Sequence, residues 1–445
     1  SFAVTTESID NIVSPEFKWA NHTVCLLRPV LNADGLPEAE SLLENFATVT
    51  KLLREGRVCA VWAPVAGGVA EGVFKMCIGN NIGFRYASGL SAEDIFGGCC
   101  GCFILEMTGT DVVGVELGRT SDTPSIARND TVIPLCELSK AYEGKLESVY
   151  PCNLPTEEKF TVAFDYQREG PLPSPRVAVA KPHALIPVFP GTNCEYDTAR
   201  ALEAAGIEAE TFVVRNLTKS AIADSVIGFS MQLQKAQMVV IPGGFSAGDE
   251  PDGSAKFITS FFRAGAVREG TEKLLSERDG LMLGICNGFQ ALVKLGLVPT
   301  GHITDTDENS PTLSFNTIGR HQSKLVRTRV SSNLSPWFSK CEVGEVYTVP
   351  ISHGEGRFLA SEELVRQLGA AGQIATQYVD LEGVPTQDIT FNPNGSICAI
   401  EGITSPDGRI LGKMGHSERV GAGLYKNVPG KYDMGLFASA AEYFK

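Results

Sequence analysis

The stretch that most constrains this chain is Leu281-Met282-Leu283-Gly284-Ile285-Cys286-Asn287-Gly288-Phe289-Gln290. It reads as a short apolar strand, a Gly-x-Cys-x-Gly turn, and a helix continuing through Ala291-Leu292-Val293. A nucleophile on a sharp strand-to-helix elbow needs small flanking residues, because a Cβ on either side would strike the bent backbone. At the head of a helix, backbone N–H groups and the positive end of the dipole favour thiolate over thiol. The competing reading is a buried structural cysteine in an ordinary strand–loop–helix, since cysteine is often buried.

The surroundings of Cys286 alternate strand and helix from Val177 onward. Residues 183–188 read as a strand and 196–205 as a helix with Ala199 and Leu202 on one face. Residues 211–214 and 238–241 are apolar runs of the kind buried on both faces of a parallel sheet. This pattern predicts an α/β domain, an open and mostly parallel sheet with helices on both sides. In such sheets the active site lies beyond the carboxyl ends of the strands, where Cys286 falls.

A second strand end, Ile241-Pro242-Gly243-Gly244-Phe245-Ser246-Ala247-Gly248-Asp249, puts two glycines directly after a strand. Glycines there let backbone N–H groups approach a ligand atom closely, as an oxyanion hole requires; a plain glycine turn is the alternative. Gln290 lies four residues after Cys286 and projects from the same side of the helix, where its amide could hold a polar substrate.

A cysteine nucleophile needs a base, and the base an orienting group. Two of the six histidines occur as His-x-Glu, in His353-Gly354-Glu355-Gly356 and in His416-Ser417-Glu418-Arg419. His416 follows the apolar segment 410–414, again a strand end. Spacing alone leaves the two pairs level. A zinc site of Cys286, His353 and His416 lacks a compact ligand spacing, and no metal is expected.

At 445 residues the chain has room for two or three domains. Residues 1–150 read as an α+β module without a catalytic constellation. Leu42, Leu43, Phe46, Val49, Leu52 and Leu53 mark an amphipathic helix over about 37–55. Residues 58–62 read as a strand, and Gly67-Gly68 opens a second helix. Residues 102–108 and 112–117 read as a hairpin turning at Gly109-Thr110. Prolines at 151, 155, 171, 173 and 175 then mark a rigid, extended linker over 151–176, with the second domain at 177–445. A net charge of −14 disfavours nucleic acid and anionic membrane surfaces as partners, and no apolar run reaches the length of a membrane span. Twelve cysteines fit a reducing compartment, hence the cytoplasm, better than a disulfide framework. The cluster Cys99-Cys100-x-Cys102 reads as small residues on a packed strand rather than a metal site.

On three motifs the chain resembles the class I glutamine amidotransferases: Gly-Ile-Cys-Asn-Gly-Phe-Gln at 284–290, Pro-Gly-Gly-Phe-Ser-Ala-Gly-Asp at 242–249, and His-Ser-Glu-Arg at 416–419. Pro190-Gly191-Thr192-Asn193-Cys194-Glu195 and Ser352-His353-Gly354-Glu355-Gly356-Arg357-Phe358 narrow the resemblance to the phosphoribosylformylglycinamidine synthase family of purine biosynthesis. The likeness runs from about Ala184 to the C-terminus. It implies Cys286 as nucleophile, His416 as base and Glu418 as its orienter. It also implies an oxyanion hole at Gly243, Gly244 and Asn287, and substrate contacts at Gln290, Phe245, Ser246 and His353. The family usually shows His-Pro-Glu where this chain has His416-Ser417-Glu418, which loosens the turn without removing the chemistry.

The first domain resembles the C-terminal half of an aminoimidazole-ribonucleotide-synthase-like domain. That family often shows an acidic His-Asp-x-Ser-Asp-Gly-Gly loop; here Trp62-Ala63-Pro64-Val65-Ala66-Gly67-Gly68 carries no carboxylate, so the domain is expected to act as a scaffold. No Gly-x-x-x-x-Gly-Lys-Ser/Thr loop occurs either. The resemblance therefore implies glutamine hydrolysis here, with ammonia passed to an ATP- and magnesium-dependent amidation in a synthase region or subunit outside this chain. Ser1-Phe2-Ala3-Val4 starts without an initiator Met, as a fragment would. The alternatives are a stand-alone cysteine hydrolase or glutaminase on the same fold, and a catalytically silent regulatory module, which would require a broken triad.

Overall fold

Period-two burial in one strand shows how the first half is built. In β1 (Thr23–Leu27), Val24 and Leu26 join one apolar cluster and Cys25 and Leu27 another, because successive side chains leave opposite faces of a strand. A strand apolar on both faces belongs inside a sheet. The computed structural model, which describes residues 2–152, 154, 160–246, 254–426 and 428–445, puts it there. Two compact units divide the chain, Ser1–Cys152 with Tyr425–Val428, and Asn153–Leu424 with Pro429–Lys445.

The first unit continues with α1 (Ala39–Arg54), β2 (Val58–Trp62), α2 (Gly68–Ile78), β3 (Gly83–Tyr86), α3 (Ala92–Phe96), β4 (Phe103–Met107), β5 (Val115–Ser121), β6 (Ser125–Arg128), β7 (Thr131–Pro134) and α4 (Leu135–Gly144). Its strands run in the order β2-β4-β1-β5-β3-β6-β7. Val49 and Leu52 of α1 pack with the Cys25 and Leu27 face, while Val69, Val73 and Met76 of α2 pack with the Val24 and Leu26 face. Both helices and β2 lie where the apolar periodicity predicts them.

The expected hairpin of 102–108 with 112–117 does not form. β4 and β5 each pair antiparallel with β1, with Val24 opposite Glu106 on one side and Thr23 opposite Arg119 on the other. With β1 between them, both of its backbone edges are paired, and its two apolar faces pack with α2 and with α1. The cysteine cluster is also corrected. Cys99 and Cys102 are buried as expected, but they form a Cys-x-x-Cys disulfide, the turn between them bringing their Cα atoms to 5.6 Å. Cys100 is exposed.

The second unit holds β8 (His183–Val188), α5 (Glu195–Ala204), β9 (Glu208–Val213), α6 (Lys219–Leu233), β10 (Met238–Ile241), α7 (Lys256–Phe262), α8 (Gly265–Ser276), β11 (Leu281–Ile285), α9 (Asn287–Lys294), α10 (Leu297–Thr300), β12 (Thr312–Ser314), β13 (Gln322–Val330), β14 (Val346–His353), β15 (Arg357–Leu359), α11 (Glu362–Ala370), β16 (Ile374–Tyr378), β17 (Ile400–Thr404), β18 (Ile410–Lys413) and α12 (Leu436–Tyr443). Its main sheet runs β14-β13-β16-β17-β18-β11-β10-β8-β9. The run from β18 to β9 is parallel, as the α/β pattern predicts, and the run from β18 to β14 is antiparallel. β10 and β11 are buried throughout. β9 is not buried on both faces as expected; it is the sheet edge, with Val213 63% exposed.

Residues 153 and 155–159 of the expected 151–176 linker lie outside the described residues. From 160 the chain runs without helix but is docked along the second unit rather than spanning a gap. Tyr166 bridges Ser332, Phe164 N–H donates to Gln377 Oε1 at 3.0 Å, and the rings of Phe164 and Tyr166 lie over Gly369 and Gly372. Among the described residues no helix is long and apolar enough to cross a membrane.

Candidate active site

The adjacent parallel strands β8, β10, β11 and β18 deliver four loops side by side: 189–194, 242–246, Cys286 itself, and 414–418. A fifth comes from β14, four strands from β18 and about 19 Å away in a flat sheet. Yet His416 N–H donates to Pro350 O at 2.9 Å and the Cys286 thiol lies 3.6 Å from Ser352 O. The antiparallel half therefore curls back over the parallel strand ends.

Cys286 sits at φ 53°, ψ −106°, a conformation L-residues rarely adopt, immediately before α9. The flanking glycines make this elbow possible. A Cβ on Gly284 would stand 2.6 Å from the Gly288 backbone, and one on Gly288 would stand 2.1 Å from Ile241 O. Here the sequence dictates local structure for a steric reason.

Loops 189–194 and 242–246 interlock. Phe245 N–H donates to Gly191 O at 2.8 Å and Thr192 bridges Gly244. Gly191 and Gly244 have φ of 92° and 144°, and a side chain on either would enter the other loop's backbone. The space a Gly243 Cβ would take is bounded by His416 Cε1 at 2.8 Å, Cys194 Sγ at 3.2 Å and Cys286 Cβ at 3.4 Å. Gly243 thus lines the gap between the two cysteines and the imidazole.

The two His-x-Glu pairs, level in the sequence, separate here. Glu418 folds back, its Oε1 2.6 Å from His416 Nδ1, both residues buried. Glu355 instead accepts Ser254 N–H at 3.1 Å, and His353 Nδ1 faces Asn316 Oδ1 at 3.1 Å. Electrostatics follow geometry. Burial acts to lower the His416 pKa, but the Glu418 carboxylate and contacts to Cys194 and Cys286 hold it well above the ordinary imidazole value. Burial acts to raise the Glu418 pKa, and His416 brings it below the ordinary carboxylate value. Each partner thus favours the charged form of the other. His353 is pushed down to about 3 by burial, reinforced by His416 and His321, and so is neutral.

The remaining expected site residues are close by but differently occupied. Asn287 accepts Ser246 N–H at 3.3 Å through Oδ1 and donates through Nδ2 to Gln290 Oε1 at 2.9 Å. Gln290 donates through Nε2 to Glu355 O at 2.5 Å, so its amide braces the 352–355 loop. Phe245 is 37% exposed beside the His321 ring, and Ser246 is buried. Residues 247–249 of the 242–249 motif lie outside the described residues. Buried atoms with no partner in the protein include His416 Nε2, Glu418 Oε2, His353 Nε2 and Ser246 Oγ. Such orphans mark where a polar ligand would bind.

Sequence reasoning missed Cys194 and Arg419 as parts of the site. Arg419 Nη2 lies 3.0 Å from Cys194 Sγ, whose thiol faces Asn193 Oδ1 at 3.0 Å and His416 Nδ1 at 3.9 Å. Cys194 could have been found by its place directly before helix α5, at the end of the loop that leaves β8, a position before a helix that it shares with Cys286. Its sulfur, His416 and Glu418 offer ligand atoms within 4.8 Å of one another, as do His22, Cys59 and Glu106 in the first unit. Glu106 is already satisfied there by the N–H groups of Lys18 and Trp19 and by His22.

Comparison with known proteins falls almost wholly within the second unit. The profile of the CobB/CobQ-like glutamine amidotransferase domain matches residues 181–444. Phosphoribosylformylglycinamidine synthase subunit PurQ of Aquifex aeolicus is 33% identical over 237 residues, covering 52% of this chain and 88% of that protein. The PurQ subunit of Methanococcus maripaludis is 35% identical over 239 residues, covering 54% and 82%. Among solved structures, PurLQS from Thermotoga maritima is similar at 27% identity with a TM-score of 0.42, over 60% of this chain and all of the matched one.

Proposed function

The chain belongs to the CobB/CobQ-like glutamine amidotransferases, as the amidotransferase component of phosphoribosylformylglycinamidine synthase, and on that premise we propose that its second unit hydrolyses glutamine with Cys286, His416 and Glu418. The observation that carries the assignment is the buried pair of His416 Nδ1 and Glu418 Oε1, 2.6 Å apart, beside a cysteine on a strained elbow. Cys286 sulfur attacks the side-chain amide carbon of glutamine. The oxyanion meets backbone N–H groups at the start of α9, which have no intrahelical partner, and of Gly243-Gly244. His416, held by Glu418, gives its Nε2 proton to departing ammonia and then takes one from the water that releases glutamate. Phe245 and Ser246, next along the Gly243-Gly244 loop, and neutral His353, whose Nε2 has no partner in the protein, are the substrate contacts in this reading. Gln290 supports the site through the 352–355 loop.

Ammonia then serves an ATP- and magnesium-dependent amidation of formylglycinamide ribonucleotide in a synthase region or subunit beyond these residues, in the cytoplasm. The reading is supported by the absence of a phosphate-binding Gly-x-x-x-x-Gly-Lys-Ser/Thr loop and by the carboxylate-free Trp62–Gly68 turn. Replacing the nucleophile tests the assignment. Cys286→Ala should lower glutaminase activity by roughly 10³-fold or more while leaving the fold intact. A variant with near-normal hydrolysis would remove Cys286 from the mechanism.

A further inference from the structure

Beneath the 414–418 turn lies an ion pair with no exposure at all. Lys413 Nζ is 3.2 Å from Glu401 Oε1, both side chains fully buried between β17 and β18. A buried pair of this kind is poor evidence for stability, because desolvation cancels much of the attraction and an apolar pair of like volume often does as well. What the pair touches is more informative. The ammonium donates its remaining hydrogens to Gly415 O at 3.1 Å and Ser417 Oγ at 2.9 Å. Glu401 Oε1 also accepts Gly415 N–H at 2.5 Å, while Oε2 accepts the hydroxyl of Thr376 on β16. Ser417 Oγ passes its own hydrogen to Met434 Sδ at 3.5 Å.

Every ammonium hydrogen is thereby accounted for, and two of the three end on the turn that carries His416 and Glu418. Gly415 is required by the same arrangement, since a Cβ there would lie 2.9 Å from Glu401 Oε1 and 3.2 Å from Lys413 Nζ. Resting on the proposed role of His416 and Glu418, we infer that Lys413, Glu401 and Ser417 are positioning residues that hold the His416–Glu418 turn in register with Cys286. They touch neither substrate nor reacting atoms. Ser417, between the two, supplies the rigidity through its hydroxyl.

Two sets of variants test this, each read by glutaminase kinetics and by the pH profile of iodoacetamide alkylation at Cys286, mapped by mass. The double variant Lys413→Met/Glu401→Leu removes the pair without stranding a buried charge. It should fold, keep KM within about twofold, and lose kcat by about 10- to 100-fold, the scale of an ångström-sized misplacement. Its alkylation profile should lose the dependence that the His416 imidazolium gives the wild type. Ser417→Ala leaves the ion pair in place and should show the same change to a lesser degree, with Ser417→Thr restoring it. If the double variant does not fold, the Ser417 pair decides. Wild-type kcat and alkylation profiles in the folded double variant, or in Ser417→Ala, would overturn the inference. Alkylation needs no glutamine, so altered alkylation in Ser417→Ala alongside full glutaminase activity in Cys286→Ala would sink the functional reading and leave the positioning role standing.

Discussion

His353 shows how much one side chain's surroundings decide. It has the same His-x-Glu spacing as His416, yet its carboxylate neighbour points to Ser254 and its ring is buried without a counter-charge. Its folded pKa of about 3 lies below the 6.5 of an exposed imidazole. The unfolded chain therefore binds the proton more readily between those values. The stability His353 leaves intact is fully present above about pH 6.5 and is lost as pH falls toward 3, at up to ~1.4 kcal/mol per pH unit. We expect His353→Gln to be less acid-sensitive than wild type in urea unfolding midpoints measured between pH 6 and 4. Equal slopes for the two proteins would show that His353 is not held neutral by burial.

At the scale of elements, the strand–elbow–helix formed by β11, Cys286 and α9 is the best-specified part of the molecule. It depends on contacts within a few residues and on the two flanking strands, β10 and β18. Gly288 approaches Ile241 O so closely that a methyl group has no room. Gly288→Ala should destabilise the protein by roughly 1–3 kcal/mol, the usual cost of overpacking, and shift Cys286 out of the elbow. Denaturant unfolding with parallel alkylation of Cys286 would register both effects. Unchanged stability would mean that α9 can slide away from β10. The β4–β5 hairpin failed at this same scale, because alternation identifies a strand but not its partner. Only the demand to bury both faces of β1 settles that.

For the whole molecule, the two units differ in chemical content. Among the described residues of the first unit, His22, Cys59 and Glu106 cluster as possible ligands, and imidazole and thiol are poor ligands for magnesium, which prefers oxygen. The second unit devotes its strand ends to a thiol and an imidazole. We therefore expect the 445-residue chain, given glutamine, ATP, magnesium and formylglycinamide ribonucleotide, to release glutamate weakly and to form no amidine. Amidated product above background would place an ATP site within this chain. A rise in glutamate release on adding the synthase component would fit completion of the site by docking.

The sequence by itself determined what depends on near neighbours: the α/β alternation of the second unit, the elbow at Cys286, the glycines at 243–244, and α1, β2 and α2 in the first. These follow from side-chain period, helix and strand preference, and the steric needs of a turn, all local. The choice of His416 over His353 came from family resemblance, since the two motifs carry the same local information. Tertiary structure decided the rest. Cys194 meets Arg419 across 225 residues of chain and Gln290 meets Glu355 across 65. The curl of the antiparallel half brings Ser352 to Cys286, and the docking of 160–168 turns an expected spacer into part of the second unit. Such partners are chosen by which surfaces must leave water together and which buried charges must be paired. That is a property of the closed chain, and no window of sequence contains it.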